Sequence, residues 1–122
     1  MSGGTWSYMQ YRLDEVLEGI RHELSIADAK YTEDEIKSDP YSFQFIEPGD
    51  PKSVIGGDKE VVEIFKQALE VVAKAQMYIQ RCDWFLAGDD GNESLKERLN
   101  EELSEIDREI ADGSFFKPQS EN

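Results

Sequence analysis

Across residues 61–86 apolar side chains return at alternating steps of four and three without a break: Val61, Phe65, Ala68, Val72, Ala75, Ile79, Cys82 and Leu86. This is a helical period, and its length of nearly four heptads predicts one long helix. A second row, Ile64, Val71, Tyr78 and Phe85, repeats every seven residues beside the first, and Val62 and Leu69 widen the opposite flank. One neighbouring helix cannot cover so broad an apolar arc. The helix is therefore expected at the centre of the fold, with Ile79 and Cys82 in its core stripe and at least two helices against it. Gly56-Gly57 breaks the chain ahead of it, Asp58 is its natural N-cap and Gly88 its natural end, which sets bounds of about 58–87.

Two further segments share the period. Trp6, Met9, Leu13, Val16, Leu17, Ile20, Leu24 and Ala27 form one stripe of a helix over about 6–29, capped by Thr5 or Ser7. Leu95, Leu99, Leu103, Ile106 and Ile110 form a narrower stripe over about 93–112. Glu93, Glu97, Glu101, Glu102, Glu105 and Glu109 crowd the rest of that helix, with Lys96, Arg98 and Arg108 between them, so it is expected at the periphery with Arg98 on its outer face. Gly113 should close it in the left-handed conformation, and residues 114–122 should be a frayed tail.

The connection between the first two helices reads differently. Thr32 and Glu35 have capping-box spacing, which predicts a helical turn over 33–38 before Pro40. Tyr41, Phe43 and Phe45 then alternate with Ser42 and Gln44 at strand period, "EPGDP" is turn chemistry and "KSVI" can return as a second strand. A lone hairpin is marginal unless packed on something. The fold class expected is thus mainly α: a three-helix bundle (about 6–29, 58–87 and 93–112) in a single domain over 1–122. It carries a small irregular or β-hairpin insertion at about 40–56, whose aromatics lie across the helices.

Charge narrows the choice of partner. The 122 residues hold 27 acids against 13 bases, a net charge of −14. Such a field repels nucleic acid and anionic membrane and attracts basic protein surfaces. Cys82 is the only cysteine, so an internal disulfide and a CxxC zinc site are both excluded. The start "MSGGTWSYMQ" has neither the basic nor the apolar region of a signal peptide, and no apolar run has the length of a membrane span. A cytoplasmic protein is expected.

The acidic stretch Asp89-Asp90-Gly91-Asn92 invites a calcium-loop reading, which fails on spacing. With Gly91 as the sixth position of an EF-hand loop, Leu86 and Gly88 fall where oxygen ligands are needed; with Gly88 there, Phe85, Ala87 and Ser94 do. The stretch is expected to be a bend in which Gly88 stops one helix and Asp89, Asp90 or Asn92 caps the next. His22 is the only histidine and sits opposite the Leu13/Ile20/Leu24 stripe, so no catalytic triad or two-imidazole metal site can be assembled. No phosphate-loop pattern follows Gly56-Gly57.

Tyr8, Tyr11, His22 and Ile26 cluster on the other face of the first helix. Either the segment containing Tyr41, Phe43 and Phe45 folds over them, or all of these residues form a surface for a protein partner or a second copy. Phe115 and Phe116 pose the same choice between stapling back onto Ile110 and projecting as a docking motif. The function expected is a non-catalytic, acidic helical protein that acts through protein–protein interaction, with a basic partner or a homodimer in view. No cofactor or metal, no direct nucleic acid and no membrane is expected. The alternative is an inhibitor or immunity-type protein that occupies a basic nucleic-acid-binding or toxin site by charge mimicry. A metal-dependent enzyme is the third reading.

Overall fold

The computed structural model describes Trp6 and residues 9–118. It is mainly helical, with α1 at Met9–Ser25, α2 at Glu33–Ser38, α3 at Lys59–Leu86 and α4 at Asn92–Asp112, followed by a 3-10 turn at Ser114–Phe116. There is no strand among the described residues. The expected caps of the first helix, Thr5 and Ser7, lie outside the described residues.

Local chemistry accounts for most of the boundaries. Thr32 Oγ1 accepts the Glu35 N–H at 3.2 Å while Glu35 Oε1 accepts the Thr32 N–H at 3.0 Å, so the capping box forms and α2 follows it. Asp58 Oδ1 accepts from the N–H groups of Glu60 (3.0 Å) and Val61 (3.2 Å), starting α3 where expected. At its far end the Asp89 N–H reaches back to the Trp84 carbonyl at 2.9 Å, a turn that requires the positive φ of Gly88 (+88°). Gly113, also at positive φ (+86°), ends α4, but there the Ser114 N–H donates to Asp112 Oδ1 at 2.9 Å. The cap of α4 differs from expectation. Gly91 takes the N-cap position and Ser94 Oγ accepts its N–H at 2.9 Å, leaving Asp90 for a different task.

The segment from 40 to 56 is irregular rather than a hairpin. Residues 40–45 are wound into turns in which Phe43 N–H donates to Asp39 O and Ile46 N–H to Phe43 O, which breaks the expected strand alternation. The extended pairing is made elsewhere: Tyr31 N–H donates to Asp50 O at 2.9 Å, Gly49 N–H to Tyr31 O at 2.8 Å and Lys52 N–H to Ala29 O at 2.9 Å. Tyr31 carries Phe43 at 5.5 Å between ring centroids and lies under the Lys52 ammonium, which is also paired with Glu35. The loop is then pinned to α1: buried Ser53 donates to Glu23 Oε1 at 2.8 Å and accepts the Ile55 N–H, and Ile55 is buried beside it. Gly57 (φ +81°) passes so close to Asp28 that a Cβ there would lie 3.1 Å from Oδ1, so that turn favours glycine twice over.

α3 lies between α1 and α4 and packs on both. Its 28 residues make a rod of about 42 Å. The face turned to its neighbours carries Leu69, Ala73, Gln76, Arg81 and Asp83, all buried, and the core closes around Leu17, Leu69, Ala73, Ile106 and Phe115. Here the structure corrects the sequence reading. The stripe expected inside is rotated by about 100°, one residue's turn, from the one that is buried. Ile79 is half-buried and Cys82 is exposed. The tail is corrected too: Phe115 is 1% exposed and pins the 3-10 turn into the core, while residues 119–122 lie outside the described residues.

Candidate functional site

Three features stand out as candidates. The first is the α3–α4 bend. Arg81 projects from the last turns of α3 with its side chain 3% exposed, and Asp90, 0% exposed, meets it with Oδ2 at 3.2 Å from Nη1. The other oxygen, Oδ1, takes Arg98 of α4 at 3.1 Å. Glu102 Oε1 approaches Arg81 Nε at 3.3 Å without the alignment of a hydrogen bond, and the guanidinium lies 4.2 Å over the Trp84 ring. Two arginines and two carboxylates thus balance one another. Both oxygens of Asp90 are committed, so the bend is a latch between helices. Arg98, expected on the outer face of α4, is indeed exposed there and still reaches Asp90.

Burial pushes the Glu102 carboxyl above its ordinary value of 4.5; Arg81 pulls it down and Asp90 pushes it up, each to a lesser extent. A raised native pKa means that the folded chain holds a proton which the unfolded chain has already lost. Stability should therefore rise as pH falls from neutrality through the window above 4.5, and Glu102→Gln should remove that part of the slope. Below 4.5 the sign reverses, because Glu35 is lowered by Lys52 and the Thr32 N–H, and Asp112 by the Ser114 N–H. Their contributions vanish as acid protonates them. Urea midpoints measured across the acid range for both proteins check this, and parallel curves would contradict it.

The second feature is a groove of about 310 Å³ between α1 and α4. Its floor is Leu17, Ala73, Ile106 and Phe115; Asp14, Glu102, Glu105 and Glu109 stand around its mouth. The polar groups inside are engaged within the fold. Gln76 Nε2 donates to Asp14 Oδ1 at 2.7 Å, and Arg21 donates to the Phe115 carbonyl at 2.8 Å and to Glu18 at 2.7 Å. Among the described residues no group of three or more His, Cys, Asp or Glu side chains is placed to hold a metal ion. No helix there is long and apolar enough to cross a membrane.

The third feature is the outer face of α3. Ile64, Val71, Tyr78 and Phe85 are 61%, 67%, 49% and 36% exposed, and Leu86 and Cys82 are exposed beside them. The half-buried Val61, Phe65, Ala68, Ala75 and Ile79 complete a strip free of charge along the whole rod. Scattered apolar residues are ordinary on a surface, whereas a continuous strip of this length is a candidate for burial against another molecule.

The surface expected from the sequence is only partly realised. Tyr8 lies outside the described residues. Tyr11 and His22 are exposed on α1 and Ile26 is half-buried just past its end. Tyr41 and Phe45 are almost fully exposed, whereas Phe43 packs on Tyr31. Phe115 is removed from the surface by burial, and Phe116 packs against the core edge-on to Phe115, with Lys66 over its ring at 5.2 Å. The Arg81–Asp90 latch was not anticipated. Its one sequence signal is an arginine inside an apolar run, with an acid nine residues on, beyond a glycine stop.

Comparison with family models, with curated proteins and with solved structures finds no match to this chain.

Proposed function

We propose that this is a non-catalytic interaction protein whose working surface is the outer face of α3, on which a helix of another protein molecule docks. The observation that carries the reading is the uncovered row Ile64, Val71, Tyr78 and Phe85 on the one helix that also organises the core. Burying such a row is worth about 25 cal/mol per Å² of apolar surface, and no charge on the strip opposes it. The three-helix bundle belongs to the same proposal: α1, α3 and α4 form a bundle left open along α3, and the partner completes it. Inhibition by charge mimicry stands as a second reading, supported by the four carboxylates at the mouth of the groove.

A photo-crosslinking amino acid placed at Val71 tests the proposal in cells. A single dominant protein adduct from position 71, with none from position 41, is expected. The absence of any adduct from position 71 would contradict it. Charge mimicry would instead give adducts from position 105 that vanish steeply as salt rises.

A further inference from the structure

The spacing on the outer face of α3 is stricter than its own fold requires. Val61, Ala68, Ala75 and Cys82 are separated by sevens, and so are Ile64, Val71, Tyr78 and Phe85, three residues further on. These are the a and d positions of four unbroken heptads. A straight helix drifts by about 20° per heptad against a seven-residue repeat, so holding that period over four heptads keeps a seam pointed at a supercoiled partner helix. Packing on α1 and α4 does not ask for it, because that packing uses the opposite face of Leu69, Ala73 and Gln76.

We propose that the partner is α3 of a second copy, running antiparallel and centred on the level of Ala73. This rests on reading the α3 face as the docking surface. The side chains select the pairing. In an antiparallel seam each a position meets a d position of the other copy at the same height: Val61 with Phe85, Ala68 with Tyr78, Ala75 with Val71, and Cys82 with Ile64. Every layer then sets a smaller residue against a larger one, and each large side chain, exposed in the single chain, lies over a valley floored by a small one. A parallel pairing would stack Ala68, Ala75 and Cys82 on themselves, leaving voids, and Tyr78 and Phe85 on themselves, overfilling their layers. The sequence of the helix is complementary to its own reverse.

Charge and area agree. Two chains of net charge −14 repel each other, so a dimer must meet where that field is weakest. The seam carries no charge, and the positions flanking it include Gln67, Lys74 and Arg81. Lys74 is paired with Glu70 at 3.0 Å and with Asp107 at 3.1 Å, and Arg81 with Asp90 and Glu102, so neither base is left to repel its counterpart. The five exposed large apolar residues of α3, Ile64, Val71, Tyr78, Phe85 and Leu86, offer on the order of 400 Å² per copy. The half-buried positions alongside bring the strip towards the about 800 Å² per partner of a standard interface.

The single native cysteine makes the register measurable. In the purified full chain, sedimentation equilibrium should give twice the 14.0 kDa of one chain, with association strengthened by added salt as the like charges are screened. Val71→Glu, at the exposed centre of the seam, should weaken association at least about tenfold while leaving the helical circular dichroism unchanged. Mild oxidation of Ile64→Cys should give a covalent dimer whose peptides join position 64 of one copy to Cys82 of the other; the unsubstituted chain should give none. A monomer at every attainable concentration would overturn the proposal, and so would Cys82–Cys82 bridges in the unsubstituted chain. If the pure chain is monomeric yet position 71 still crosslinks to a different protein in cells, the second copy is ruled out and the docking surface stands.

Discussion

Asp90→Ala should cost about 3–5 kcal/mol, the loss expected when one member of a buried ion pair is removed and the other is left buried without it. Arg81, 3% exposed, would keep only the misaligned Glu102 and the Trp84 face. Arg98→Ala is the control. It removes a pair whose arginine side chain is 54% exposed, so a loss of about 1 kcal/mol or less is expected. Urea denaturation of the two variants checks the ordering. Equal losses would mean that the bend is held by its glycines and caps rather than by the latch. Against a total stability of about 5–15 kcal/mol, the larger loss leaves a protein close to unfolding at physiological temperature.

Phe115→Ala should be as damaging, at about 3–5 kcal/mol, because the ring is fully enclosed by Leu17, Leu69, Ala73 and Ile106. Its removal also strips the Arg21 guanidinium of the ring 5.2 Å beneath it and loosens the turn whose carbonyl Arg21 holds. Phe45→Ala, on a ring that is almost fully exposed, should change stability by less than about 0.5 kcal/mol. Thermal unfolding of the pair separates a stapled tail from a loose one, since only a loose tail would make the two substitutions equivalent.

What was legible in the sequence was local. Thr32 with Glu35, Asp58, Gly88 and Gly113 act on backbone groups within a few residues of themselves, and α2, α3 and the end of α4 stand where those residues put them. What was not legible depended on polar residues facing inward. Apolar periodicity selects the most continuous apolar row of α3, yet the buried row includes Gln76 and Asp83. Gln76 is tied to Asp14, sixty-two residues away. A pattern that counts only apolar residues cannot find an interior face that holds an amide and a carboxylate, so it assigns to the core a row that is half-buried over most of its length and exposed at Cys82 and Leu86. The bend itself was read correctly, but the role of Asp90 was misread for the same reason: it has the composition of a cap, and only the fold brings Arg81 and Arg98 to it. The hairpin failed on a longer-range competition. The alternation of Tyr41, Phe43 and Phe45 needs a partner strand, and the extended stretch near residue 50 is already paired with residues 29–31.

The proposed partner would cover the exposed row Ile64, Val71, Tyr78 and Phe85, and one footprinting measurement tests that directly. Hydroxyl-radical oxidation of the purified chain reports Tyr78 and Phe85 on the seam against Tyr41 and Phe45 on the loop, within the same molecules. Raising the protein concentration should slow oxidation of Tyr78 and Phe85 several-fold relative to Tyr41 and Phe45, and Val71→Glu should abolish the difference. Oxidation of Tyr78 in simple proportion to its 49% exposure at every concentration would contradict it.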